Sequence, residues 1–213
     1  KRYFQKLLYF FYIYLLSKYH LQKVKPHQDI LVKNFLYKVI KLIFSFIIFS
    51  LTNIVSQENN IFHSREFWRS KPTKIKIDSC IKAGNSPINL DKFAFDATSW
   101  AIIEKNSNEI VKYLMSIEGN DVNKKTHDGR TYIFWAMYRD NLKLMNYLHQ
   151  QGAKTDIIDS HGYSLMNFGA VTGQLNTELY DFCIENGAIV KDQKNNDGAN
   201  PLLTLIRIAA WHA

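Results

Sequence analysis

The chain has 213 residues, 46% of them hydrophobic, and a formal net charge of +8 at neutral pH. The charge is uneven, because residues 1–56 hold nine of the 27 Lys and Arg residues but one of the 19 acidic residues, which leaves eighteen of each sign in 57–213. This nearly neutral part lacks the basic surface that a nucleic-acid-binding domain needs, and we expect no nucleic acid as a partner.

The first 37 residues include an apolar run over 7–16. This run is shorter than the roughly 20 residues that a membrane-spanning helix needs. The chain does not begin with Met, and a signal-like segment starts only near residue 38. We therefore expect the natural start to lie close to Val39 and 1–37 to be a non-native or membrane-proximal extension. The alternative is that 1–37 holds a genuine second membrane segment.

The next segment, 38–56, has the pattern of a secretory signal. Lys38 and Lys41 precede an apolar run over 42–51, and a short polar end with the small residue Ser56 follows. We predict a signal peptide here, a mature chain starting near residue 57, and export to the periplasm or the cell exterior. The alternative is an uncleaved signal anchor that holds the chain in the membrane through 42–51. It is open because Ile54, at position −3 of the predicted cleavage site, suits cleavage poorly.

Two short segments farther along the chain, 128–133 and 160–166, align on each other. Their glycines, Gly129 and Gly162, are 33 residues apart. Each segment heads a helix–turn–helix pattern that ends in Gly-Ala, at Gly152 and at Gly187. A fixed period of this size is typical of stacked repeat proteins, in which each unit covers the apolar face of its neighbour.

The segment 128–137 resembles the ankyrin pattern D-G-x-T-P-L-H-x-A-A, with Tyr132 at the proline position and Phe134 at the histidine position. The resemblance covers about 66–213, and the whole resembles exported bacterial ankyrin-repeat proteins. It implies an all-α solenoid of helix–turn–helix units with β-turn tips, preceded by a hydrophobic signal or anchor helix. Within 57–213 the predicted units are a cap at about 66–90, repeats at about 91–123, 124–156 and 157–194, and a partial repeat at 195–213.

The residue chemistry supports the same architecture. Leu142, Leu144, Met145 and Leu148 recur at helical spacing and predict one apolar face. Small residues, Ala136 and the pair Gly169-Ala170, stand where two helices must approach closely. Gly152 and Gly187 suit the left-handed position at a helix end. We expect the Thr131 and Ser164 hydroxyls to cap the helices that follow them.

The two ends of the stack depart from the repeat. Residues 75–87 resemble a lone second helix, which we expect to cap the stack at its N-terminal end. The last unit has no second helix after Trp211, and we expect its C-terminus to be truncated or divergent and to fray, unless a partner chain covers it. Its apolar residues are Leu202, Leu203, Leu205, Ile206 and Ile208.

The chain carries no recognisable catalytic motif: it has no G-x-S-x-G, P-loop or G-x-G-x-x-G. Cys80 and Cys183 are not part of a Cys-x-x-C pair and are expected to be separate, buried core residues. His127 and His161 fall in equivalent turns within about 10 Å of each other. A metal site there, with Asp128 or Asp159, is an alternative, but turn-forming residues explain the pattern. We predict no enzyme activity, cofactor or metal.

The resemblance implies that turn tips and first helices together line a concave groove for a protein partner. The predicted partner-binding residues are Lys125, His127, Arg130, Tyr138, Arg139, Ile158, His161, Tyr163 and Thr172. Further groove positions are Ser160, Val171, Asn196 and Ala199. Tyrosine and arginine are enriched at interface hot spots, although Tyr138 and Tyr163 have an equally good alternative role in packing neighbouring units together.

A basic patch of Lys124, Lys125, Arg130 and Arg139 favours an acidic partner. The predicted function is that of an exported, non-catalytic protein–protein interaction module. The alternative is a membrane-anchored accessory subunit of an envelope complex or of a secreted enzyme.

Overall fold

The structure is a computed structural model that describes residues 37–45 and 60–211. The chain divides into two compact units, 1–54 and 55–213. In the first unit the described residues form one helix, α1, over 37–45. The predicted extension and most of the predicted signal segment lie outside the described residues, so the predicted signal or anchor helix is not shown. No helix among the described residues has the length and apolarity needed to cross a membrane.

The second unit is built from helical hairpins. All regular structure within 60–211 is helical, as predicted. Two single 3-10 turns, Ile61–His63 and His127–Gly129, precede helices. The α-helices in chain order are α2 Arg65–Arg69, α3 Lys74–Lys82, α4 Ala97–Ile103, α5 Asn108–Met115, α6 Tyr132–Tyr138, α7 Leu142–Gln150, α8 Leu165–Val171, α9 Thr177–Glu185 and α10 Pro201–Trp211.

These hairpins stack side by side. The first helices α4, α6, α8 and α10 contact each other in series, and the second helices α7 and α9 also touch. The turn tips join as well, because the Ser160 N–H donates to the Asp128 carbonyl at 2.9 Å. Each of the predicted repeats 91–123, 124–156 and 157–194 contains one hairpin.

Side-chain caps set where most helices begin. Asp96 accepts a hydrogen bond from the Ser99 N–H, and the Ser99 hydroxyl in turn contacts the Asp96 backbone, which makes a capping box. Ser164 caps α8 by accepting from the Asn167 N–H, as predicted. The same prediction was wrong for Thr131, which makes no side-chain cap bond. Its hydroxyl is buried and has no hydrogen-bond partner among the described residues.

The hairpins end and turn at left-handed residues. Gly152 and Gly187 have φ of +91° and +92°, which confirms the predicted helix ends. Inside the hairpins, the turn between the two helices uses a second set of residues with positive φ, and these are Lys71, Lys105, Asp140 and Gly173. Three of the four are not glycine, so the glycine positions in the sequence do not reveal these left-handed turns.

The core is a continuous apolar seam between the two layers of helices. Leu144, Met145 and Leu148 of α7 are fully buried, and Leu142 is half-buried, in line with the predicted face. Gly169 allows the close approach of α8 and α6, because a Cβ added there would lie 2.2 Å from Met137 Cε. This contact explains why the position holds the smallest residue.

Both ends differ in part from expectation. The prediction of a lone second helix at the N-terminal end was wrong, because α2 precedes α3 and its Phe67 and Trp68 pack with Phe62 in an aromatic cluster. At the other end α10 packs on α8. Its residues Leu202, Leu203 and Ile206 are exposed as expected, whereas Leu205 and Ile208 are half-buried.

Candidate binding cleft

A cleft of about 390 Å³ crosses three successive first helices, α4, α6 and α8. Its size lies at the lower end of the range of roughly 300–1,000 Å³ found for ligand pockets. Aromatic side chains form most of its wall. Its lining residues are Arg65, Phe95, Trp100, Ile103, His127, Arg130, Trp135, Tyr138, Phe168 and Thr172.

A row of aromatic side chains forms the floor. Trp100, Trp135 and Phe168 each stand three residues after the residue that begins their helix, so the repeat brings them to the same place on successive helices. The rings of Trp135 and Phe168 meet edge to face with centroids 5.9 Å apart. Phe95 bridges the other pair, at 4.5 Å from Trp100 and 5.3 Å from Trp135. In the last unit Thr204 holds the equivalent position, and the row ends there.

Arg130 is held inside the cleft wall. Its Nε donates to Asp159 Oδ2 at 2.8 Å and its Nη1 to Asp128 Oδ2 at 3.0 Å. The guanidinium also lies 4.4 Å from the Phe168 ring centroid. The Arg130 side chain is 10% exposed and that of Asp159 is fully buried. Both carboxylates neutralise this cation, so Arg130 is a fixed part of the wall rather than a free charge for a partner.

The two histidines converge on the same carboxylate. His127 Nε2 lies 3.3 Å and His161 Nε2 lies 3.1 Å from Asp128 Oδ2, which agrees with the predicted proximity of their turns. His127 also stacks on Phe95, with centroids 4.6 Å apart. Within 37–45 and 60–211 no group of three or more His, Cys, Asp or Glu side chains has the geometry to hold a metal ion. In the structure both histidines are neighbours of Asp128.

The predicted basic patch is smaller than expected. Lys124 Nζ lies 2.7 Å from Asp96 Oδ2, and that carboxylate is fully buried. Tyr132 donates its hydroxyl proton to the same oxygen at 2.6 Å. Burial, and next the Asp96 carboxylate, raise the pKa of Tyr132 well above its usual value. Lys124 and Arg130 are thus structural cations, and only Lys125 and Arg139 of the predicted patch carry charge without an ion pair among the described residues.

Four predicted partner-binding residues line the cleft: His127, Arg130, Tyr138 and Thr172. Tyr138 also packs against the core, which is the alternative role that the sequence allows. The other five lie outside the lining, and of these Lys125, Ile158 and His161 are exposed while Arg139 and Tyr163 are half-buried.

Sequence reasoning missed the cleft residues Arg65, Phe95, Trp100, Ile103, Trp135 and Phe168. The constant offset of three residues between the start of the helix and the aromatic ring was the available signal for Trp100, Trp135 and Phe168. For Arg65 no such signal existed, because it belongs to the short helix α2 in the divergent first hairpin.

The cysteines add no reactive group to the cleft. Both are free thiols; Cys183 is buried as predicted, whereas Cys80 is half-buried. Burial raises the pKa of the Cys183 thiol to about 12, which keeps it protonated and a poor nucleophile at neutral pH.

The comparisons with known proteins agree with this architecture. No curated protein matches the chain. Residues 98–192 match the family model described as ankyrin repeats (3 copies), and this stretch spans the hairpins α4/α5, α6/α7 and α8/α9. The three hairpins of this stretch are therefore ankyrin repeats.

Proposed function

We propose that the chain is a non-catalytic binding module that holds a protein partner in the cleft between its first helices. Ankyrin repeats indicate a protein–protein interaction module. The observation that carries the proposal is the row of Trp100, Trp135 and Phe168, which gives three successive units one shared aromatic floor. The three residues are 8%, 4% and 4% exposed, so the floor is fixed in place, and tryptophan is a residue type enriched at interface hot spots.

The arginines that line the cleft are already paired with carboxylates, which supports binding rather than catalysis. Arg130 is occupied by Asp128 and Asp159. Burial alone would raise the pKa of the Glu104 carboxyl near the cleft, but hydrogen bonds and positive charge from Arg65 and Arg69 outweigh burial and leave that pKa below its usual value. Glu104 is therefore ionised at neutral pH and unsuited to act as a general acid.

We also propose that the module is exported, with 38–56 as a signal peptide. The support is the order of Lys38, Lys41, the apolar run 42–51 and Ser56. The alternative remains a membrane-anchored accessory subunit. N-terminal sequencing of the natural protein separates them: a mature end near residue 57 supports export, and a membrane-bound chain that retains 42–51 supports the anchor.

The cleft itself is tested by a pair of matched substitutions in the full chain. Thr172 lines the cleft at the end of α8, whereas Thr177 is exposed at the start of α9. We expect Thr172→Glu to lose the partners that the wild-type chain captures, because the longer charged side chain occupies the cleft. Thr177→Glu should keep them. Circular dichroism checks that both variants fold, and equal capture by the two variants would contradict the proposal.

A further inference from the structure

Four cationic side chains contact the turn that ends α4, residues 103–105, and a fifth cationic residue belongs to the turn. Arg65 Nε donates to Glu104 Oε1 at 2.7 Å, and Arg69 Nε to Glu104 Oε2 at 3.3 Å. Lys71 donates its Nζ protons to the carbonyls of Glu104 and Lys105, the latter at 3.1 Å. Arg139 Nε donates to the Ile103 carbonyl, and Lys105 stands in the turn itself. We call Arg65, Arg69, Lys71, Lys105 and Arg139 the cationic rim.

The carboxylates near the cationic rim do not balance it. Its ion pairs within the described residues involve Glu104, which is 8% exposed, and Glu66, which lies 3.8 Å from Arg69 and is 80% exposed. Lys71, Lys105 and Arg139 form no ion pair in the part of the chain that the structure describes. A helix C-terminus attracts cations, but its dipole is equivalent to only about half an elementary charge. Stabilising the end of α4 therefore does not account for five cations.

The cationic rim is continuous with the cleft. Arg65 lines the cleft and its guanidinium lies 5.1 Å from the Trp100 ring centroid. On the other side of the same turn the Arg139 guanidinium lies 4.9 Å from the ring centroid of Tyr138, another cleft residue. An apolar side chain in the cleft thus has positive charge beside it. Complementary charge at the edge of an apolar site selects partners and speeds their association.

From these contacts, and resting on the proposed function, we infer that the partner is an acidic peptide segment. One large apolar side chain of that segment enters the cleft over Trp100, Trp135 and Phe168, and neighbouring Asp or Glu carboxylates pair with the cationic rim. Lys71, Lys105 and Arg139 are the cations that gain an ion pair on binding. A nucleic acid is the competing polyanion, and it is a poorer fit because residues 57–213 are close to neutral as a whole.

The test uses the full chain and fluorescein-labelled heptapeptides followed by anisotropy. The probe has Phe at its centre and Asp or Glu elsewhere; one matched peptide replaces the acids by Asn and Gln, and another replaces Phe by Ala. We expect the acidic Phe peptide to bind and both matched peptides to bind more weakly. Lys105→Gln/Arg139→Gln should weaken binding about fivefold or more, since two exposed ion pairs are lost.

A control removes two lysines elsewhere. Lys143 and Lys154 are exposed in the repeat 124–156 and do not line the cleft, and Lys143→Gln/Lys154→Gln should leave the affinity unchanged. Thermal melts followed by circular dichroism check that both double variants fold. The inference is overturned if the acidic Phe peptide does not bind, if the amide peptide binds equally well, or if the control pair weakens binding as much. Equal affinity for a labelled oligothymidylate of the same charge would also overturn it.

Failure of this inference and failure of the proposed function give different results. If Thr172→Glu abolishes partner capture but acidic peptides do not bind, the cleft is the binding site and its partner is not acidic. If Thr172→Glu captures partners as the wild-type chain does, the cleft itself is not the binding site and both proposals fall.

Discussion

Cations serve opposite purposes in two regions of this protein. At the turn tips and inside the stack, Arg130 and Lys124 are enclosed and paired with buried carboxylates. In the cationic rim, Lys71 and Arg139 donate to backbone carbonyls, and neither they nor Lys105 pair with a carboxylate among the described residues. The two regions differ because a Lys or Arg side chain on a repeat stays available to a partner only where no neighbouring unit places an Asp or Glu carboxylate beside it.

The structural role of the enclosed cations is tested most strongly at Asp159. This buried carboxylate accepts hydrogen bonds from Arg130 and from the N–H groups of His161 and Tyr163. Asp159→Ala leaves a buried guanidinium with half its ion pairs and two N–H groups without acceptors, and we expect it to lower the free energy of unfolding by about 3–5 kcal/mol. Urea denaturation measures this loss. Asp156→Ala, at an exposed position, is the control, and a similar small change in both variants would contradict the structural role of Arg130.

The second interior charge is Asp96, which Lys124 and Tyr132 both contact. Removing the Tyr132 hydroxyl deletes one hydrogen bond to a buried carboxylate, so Tyr132→Phe should lower the free energy of unfolding by about 1.5–3 kcal/mol. Tyr147→Phe is the matched control, because the Tyr147 hydroxyl makes no hydrogen bond within the described residues. Equal stability of the two variants in urea denaturation would show that the Asp96 network contributes little.

Glu104 lies at the border between the two regions, since it is buried yet pairs with the exposed side chains of Arg65 and Arg69. Its pKa is lowered in the folded state, because the two arginines outweigh the opposing effect of burial. This group therefore stabilises the fold above its unfolded pKa, and that contribution disappears as pH falls through the lower folded pKa.

We expect wild-type stability to fall below about pH 4.5 more steeply than that of Glu104→Gln. Thermal melts between pH 6 and pH 3 measure both slopes. Parallel slopes for the two proteins would mean that the arginine pairs add nothing to the stability of this turn.

The smallest effect is expected in the cationic rim itself. Lys105 is exposed and forms no ion pair among the described residues. Lys105→Gln should therefore change the free energy of unfolding by less than about 0.5 kcal/mol. A loss of about 2 kcal/mol or more in urea denaturation is the size expected when a buried charged hydrogen bond is removed. Such a loss would place this lysine with the structural cations instead.

The repeat, the helical hairpins and their glycine ends were predictable because each depends on residues close together in sequence. Gly152 and Gly187 mark helix ends through their own backbone geometry, and Ser164 caps its helix three residues away. Thr131 shows the limit of the same rule. It precedes its helix in the same way as Ser164, but its buried hydroxyl makes no cap bond.

The partition of the charges was not predictable from the chain alone. Arg130 pairs with Asp159 across a unit boundary, 29 residues later, and Lys124 pairs with Asp96, 28 residues earlier. Such pairs depend on the registration of neighbouring hairpins rather than on local pattern. The cationic rim is harder still, since three of its members come from 65–71, where the helix has five residues and the repeat pattern is weak.

The most informative measurement is the affinity of Thr172→Glu for the acidic Phe peptide. This substitution occupies the cleft and also adds a negative charge to it, so it tests both parts of the binding proposal at once. The account predicts that Thr172→Glu loses detectable binding by anisotropy while Thr177→Glu binds like the wild-type chain. Wild-type affinity in the folded Thr172→Glu variant would contradict it.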